Sequence, residues 1–88
     1  MPFVLRESDE LRSIKAVDGQ AYHLRQSAYG FGTEVIFYAA NNVEIEHFLP
    51  SSDYTYTEGV DIDDEKEIVT VHGEKIHAKF TFSEWYNE

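Results

Sequence analysis

Apolar and polar residues alternate with a period of two along most of this chain, the pattern of half-buried β-strands. The clearest stretch is residues 67–82, where Ile76, Ala78, Phe80 and Phe82 alternate with Lys75, His77, Lys79 and Thr81. His72-Gly73 reads as a two-residue turn, because Gly accepts positive φ. Folding about it pairs Val71 with Glu74 and Val69 with Ile76. Val69 and Val71 then share a face with Phe80 and Phe82.

A second hairpin is expected over residues 34–49, turning at Asn41-Asn42, since Asn tolerates the left-handed region. This sets Tyr38 opposite Ile45 and Ala40 opposite Val43 as an inner face. Glu44 and Glu46 point outward, His47 shares a face with Ile36, and Pro50 ends the pairing because it has no N–H to donate. Tyr54-Thr55-Tyr56-Thr57 reads as a further strand. Residues 20–31 read as extended, with Tyr22, Leu24 and Ala28 on one parity and a bulge or sharp bend at Gly30 and Gly32.

Residues 8–17 admit two readings. Ser8, the apolar Leu11, Ile14 and Val17, and then Gly19 fit a short capped N-terminal helix. Asp18-Gly19 also fits a hairpin turn, which sets Ile14 opposite His23 and Lys15 opposite Tyr22 and leaves both faces mixed. Either way the fold expected is mainly β: one domain, 1–88, with a small antiparallel sheet, barrel or sandwich of five to seven strands built from hairpins. Phe31, Phe37, Phe48, Phe80 and Phe82 are the expected core. Trp85 and Tyr86 are open to exposure, with Trp85 preferred as closing one end of the fold.

Charge changes the picture more than composition does. The 88 residues carry 17 acids and 7 bases, a formal charge of −10. Residues 1–26 sum to zero and residues 66–88 to −1. Residues 27–65 hold nine acids and no Lys or Arg. Such a field argues against direct contact with nucleic acid or an anionic membrane, and for a basic partner. Zero cysteines exclude a disulfide scaffold and a thiol nucleophile. The longest apolar run, residues 35–40, is far below the roughly 20 residues that span a bilayer. Phe3-Val4-Leu5, cut off by Arg6-Glu7, is too short for a leader's core. A cytoplasmic protein is expected.

Motifs for chemistry are sparse. Asp61, Asp63 and Glu65 alternate as carboxylates can around a hard cation, but Lys66 occupies the position where an EF-hand loop has Gly. A solvated loop is the preferred reading, and no metal or cofactor is expected. His72 in the turn and His77 on the following strand are not expected to converge. No nucleophile elbow, phosphate loop or zinc-protease motif is present, and no enzyme is expected.

The reading that joins these observations is a small acidic inhibitor or decoy. Glu44, Glu46, Asp53, Glu58, Asp61, Asp63, Asp64 and Glu65, with Tyr54 and Tyr56, would imitate phosphates against a basic nuclease, nucleic-acid-binding protein or toxin. Bacteriophage counter-defence and immunity proteins use small acidic domains in this way. The alternative is a structural or oligomer-forming module, for which the acids serve solubility.

Overall fold

A computed structural model describes residues 8–86, and the apolar segment 3–5 lies outside them. The chain forms seven strands in two antiparallel sheets. The first sheet runs in order β1 (Ser8–Lys15), β2 (Ala21–Tyr29), β3 (Gly32–Tyr38), β4 (Glu44–Phe48). The second runs β5 (Val60–Asp63), β6 (Ile68–His72), β7 (His77–Thr81). A one-turn helix, α1 (Phe82–Trp85), follows. The mainly β expectation holds, without a closed barrel. The helix is at the C-terminal end, and the stretch read as helix or hairpin is a strand.

The hairpins differ from the expected ones in a physically instructive way. Two of them close with the same three-residue loop. Ala16 N–H donates to Gln20 O and Gly19 N–H to Ala16 O, both at 2.9 Å; Ala39 and Asn42 make the equivalent pair to Val43 and Ala39, both at 2.8 Å. The third loop residue is left-handed in each case, Gly19 at φ 95° and Asn42 at φ 68°. At Asp18-Gly19 a third loop residue moves the register by one. Ile14 therefore faces Tyr22 and Lys15 faces Ala21. A one-residue shift exchanges the two faces of a strand, so the mixed faces resolve into a buried Ile14 and an exposed Lys15.

In the β3–β4 hairpin the expected register holds at Ile36, which pairs with His47, and breaks at a bulge where Tyr38 faces Glu44 instead of Ile45. On β3 the face is inverted: Val35 and Phe37 are in the core, not Tyr38 and Ala40, while Ile45 packs against the core as expected. Val35-Ile36-Phe37-Tyr38 is apolar on both parities, so alternation alone could not choose. In the β6–β7 hairpin the turn is at Glu74-Lys75, closed by Gly73 N–H to Ile76 O at 2.7 Å. Val71 thus pairs with Ala78 and Val69 with Phe80. The turn moved by two residues, an even step that preserves parity, and Val69 and Val71 stay on the buried face. Tyr54-Thr55-Tyr56-Thr57 is not a strand but part of a turn-rich loop.

One core fills the space between the sheets. Ile14, Leu24, Val35, Phe37 and Phe48 from the first sheet meet Val69, Val71, Ala78 and Phe80 from the second. Phe37 stacks on Phe80 at 5.7 Å between ring centroids, and Trp85 packs against both at 6.1 and 5.8 Å. A one-turn helix cannot hold itself in water. Tertiary contacts hold α1, among them burial of Trp85, the Thr81 hydroxyl accepting from Glu84 N–H, and the Arg12 guanidinium donating to Glu84 O and Trp85 O. Thr81-Phe82-Ser83-Glu84 has the Thr-x-x-Glu spacing of a helix start, but the Glu84 carboxylate accepts from Lys15 N–H at 2.7 Å. It thereby ties the helix to β1.

Candidate functional site

Beyond Pro50 the chain makes a loop whose shape is fixed by a single carboxylate. Ser51 N–H donates to Tyr56 O at 2.7 Å and Glu58 N–H to Leu49 O at 3.0 Å, so the loop is closed at its base. Inside it Asp53 Oδ1 accepts from Ser51 Oγ at 2.6 Å, Thr55 Oγ1 at 2.8 Å and Thr55 N–H at 3.2 Å. The hydroxyls of Ser51 and Thr55, helped by the Thr55 amide, hold the Asp53 carboxyl down to about 2 from an ordinary 3.8. This network carries Tyr54 at φ 61°, a left-handed conformation that a bulky side chain rarely adopts and that costs about 1–2 kcal/mol.

The strained residue supports an exposed aromatic pair. The Tyr54 ring lies over Gly30 and Gly32, where added side chains would collide with it or with Pro50. Phe31, at the tip of the β2–β3 turn, meets Tyr54 edge-to-face at 6.1 Å. Phe31 is 96% exposed, so its assignment to the core is wrong. Gly30 at φ 62° and Phe31 are the two turn residues between paired Tyr29 and Gly32, and side chains of a tight turn face away from the sheet. The two flanking glycines were the available signal. Tyr29 and Tyr56, on the same two segments, are also exposed.

Asp53→Ala should loosen this loop without unfolding the protein. Faster hydrogen exchange at Tyr54 and Thr55 and loss of the Tyr54 ring shift are expected by NMR, with the melting midpoint nearly unchanged. Unaltered exchange would mean that backbone bonds alone shape the loop. Because the folded carboxyl sits lower than the unfolded one, its contribution is complete above pH 3.8 and is lost as pH falls through about 2.

The other acids are divided between internal and solvent-facing roles. The side chains of Glu44 and Glu58 are exposed and, with those of Asp64 and Glu65 at the β5–β6 turn, make no hydrogen bond or ion pair among the described residues. Glu46 was expected to face outward. It shares the parity of Phe37 and Phe48, and its carboxylate reaches the other sheet, accepting from Glu74 N–H at 2.8 Å, Lys75 N–H at 2.8 Å and Ile76 N–H at 3.1 Å. Asp63 accepts from Lys66 N–H at 3.1 Å. Among the described residues no three or more His or carboxylate side chains converge as a metal cage.

The histidines overturn one expectation. His72 and His77 do converge, because the turn lies at Glu74-Lys75 and makes them directly paired across β6 and β7. His72 Nδ1 and His77 Nε2 are 3.1 Å apart, and His72 Nε2 is 2.9 Å from Asp61 Oδ2. His47 faces Ile36 as expected and is bonded to Glu34 at 2.7 Å.

Among the described residues no helix is long and apolar enough to cross a membrane. Compared with protein-family models, characterised proteins and solved structures, the chain matches none. Its function is therefore read from its own residues.

Proposed function

We propose that this chain is a non-catalytic binding protein that inhibits or decoys a basic, nucleic-acid-handling protein or toxin in the cytoplasm, docking through the Phe31–Tyr54 tip. The observation that carries the reading is the exposed Phe31 ring, seated on a Tyr whose backbone is held against its preference. Exposed, pre-ordered aromatics have the properties of interface hot spots, since they bring area at little cost in entropy. Strained backbone persists where the surroundings over-determine it, and such positions cluster at functional sites.

The electrostatics support the same kind of partner. Both rings fall within the base-free stretch 27–65, and Asp53 and Glu58 lie on the same loop as Tyr54. The negative field speeds encounter with a basic surface, while the aromatic tip sets the lifetime of the complex. Of the acids expected to engage, Glu44, Glu58, Asp64 and Glu65 have carboxylates uncommitted within the described structure; Asp61 and Asp63 are exposed but bonded, and Glu46 serves the fold.

The experiment is capture of the partner from host lysate, elution along a salt gradient, and kinetics with the identified protein. A basic partner released by moderate salt is expected. Phe31→Ser should then weaken binding at least about 30-fold, the size of a 2 kcal/mol hot spot, mainly through dissociation. Joint conversion of Glu58, Asp64 and Glu65 to Gln or Asn should slow association and flatten its salt dependence. Full affinity in Phe31→Ser would remove the proposal. Recovery of the chain alone, as an oligomer insensitive to salt, would favour the structural-module alternative.

A further inference from the structure

We infer that His72 and His77 form a binding site for a divalent transition-metal ion of the zinc class, with Asp61 orienting one ligand. The site is separate from the aromatic tip, and neither reading depends on the other. The inference starts from backbone geometry. His72 N–H donates to Gly59 O on the β5 side at 2.7 Å, and the ladder bond toward β7 is made one residue on, by Gly73 to Ile76. His72 and His77 are therefore a non-hydrogen-bonded pair, the antiparallel position in which facing side chains come closest. Both imidazoles are exposed on the outer face of the second sheet.

Their nitrogens have chelate spacing. Two imidazole nitrogens bound to one zinc at about 2.05 Å each stand roughly 2.9 Å apart at a right angle and roughly 3.3 Å apart at the tetrahedral angle. His72 Nδ1 and His77 Nε2 are 3.1 Å apart, within that interval. Asp61 supplies the usual partner of a ligating histidine. By accepting from His72 Nε2–H at 2.9 Å it fixes the tautomer in which Nδ1 carries the lone pair. In the metal-free molecule that lone pair accepts from His77 Nε2–H. On binding, the His77 Nε2 proton leaves to water, and neutral His77 takes its proton on Nδ1.

The protein offers two direct ligands, so water completes the shell and the site stays open to a further ligand. Both imidazoles are open to solvent, and His77 also borders a cavity of ≈ 290 Å³ whose wall includes Lys79, Thr70 and Asp18. The charged groups around the pair are Asp61 and Asp63 from β5, Lys79 from β7, Glu74 and Lys75 in the turn, and Asp18 across the cavity. Imidazole ligation favours zinc, nickel and copper over calcium or magnesium.

The test is titration of the intact chain with Zn²⁺ at pH 7.5, read by imidazole NMR shifts and by thermal melting. Expected are shifts at His72 and His77 but not at His23 or His47, with a raised midpoint reversed by chelator. His77→Gln should abolish both responses, Asp61→Asn should weaken binding about 10–100-fold, and Ca²⁺ should reproduce neither. Because the metal and protons compete for the same imidazole nitrogens, binding should weaken as the pH is lowered to 5. Unshifted His72 and His77 resonances at millimolar Zn²⁺, or an unaltered response in His77→Gln, would overturn the assignment. His77 is exposed, so this variant should fold normally; an unchanged circular-dichroism spectrum checks that directly.

Discussion

Trp85→Ala is expected to remove about 3–5 kcal/mol of unfolding free energy, the range for deleting a buried aromatic side chain. Trp85 is fully buried and touches both members of the Phe37–Phe80 stack. Its loss also weakens the seating of α1, leaving Phe82 and Tyr86 as the large side chains that this segment places in the core. For a domain whose whole stability lies within about 5–15 kcal/mol, the variant sits near the folding threshold. Trp85→Phe is the informative partner. The indole N–H is buried and meets no hydrogen-bond acceptor among the described residues, so Phe loses packing but also removes a desolvated donor. It should cost less than half as much as Ala. Urea unfolding followed by circular dichroism measures both, and a loss below 1 kcal/mol in Trp85→Ala would contradict this account of the core.

The second large effect concerns the bridge between the sheets at Glu46. Its carboxylate accepts all three consecutive amides of residues 74–76, so Glu46→Ala should cost about 1–3 kcal/mol. Glu46→Gln should also destabilise, because one acceptor oxygen becomes an NH₂ group facing amide donors. Gly73→Ala attacks the same contact from the other side: an added Cβ would collide with the Glu46 carboxylate. The carboxylate must leave, which gives a decisive double-mutant cycle. In a Glu46→Ala background Gly73→Ala should be nearly harmless, a coupling of about 1–2 kcal/mol. Additive losses would show that Gly73 matters for some reason other than the carboxylate.

The pH dependence of that bridge follows from its chemistry. Desolvation pushes the Glu46 carboxyl up, but the amides of Lys75, Glu74 and Ile76 and the Lys75 charge outweigh it, leaving the group below its ordinary 4.5. Its stabilisation is complete above pH 4.5 and fades as pH falls through the lower folded value. Glu46→Gln should therefore show a flatter acid limb in its stability curve than the wild type.

Several features of this protein are determined by sequence alone because they are local. Alternation in residues 67–82 specifies paired strands, and seventeen acids give the charge whatever the fold. Parity survives an error in turn position when the error is even, which is why Val69 and Val71 are legible as core. Tertiary structure decided the rest. One loop residue beyond the expected turn set the face of Ile14, and a two-sided apolar strand left the face of Phe37 open until a second sheet covered one side. The turn position then decided whether His72 and His77 meet. Glu46 looks like any surface acid in sequence, and only the approach of the β6–β7 turn from the other sheet makes it a bridge. Phe31 is apolar enough for any core; its exposure follows from standing at the tip of a two-residue turn, where the backbone directs the ring away from the sheet.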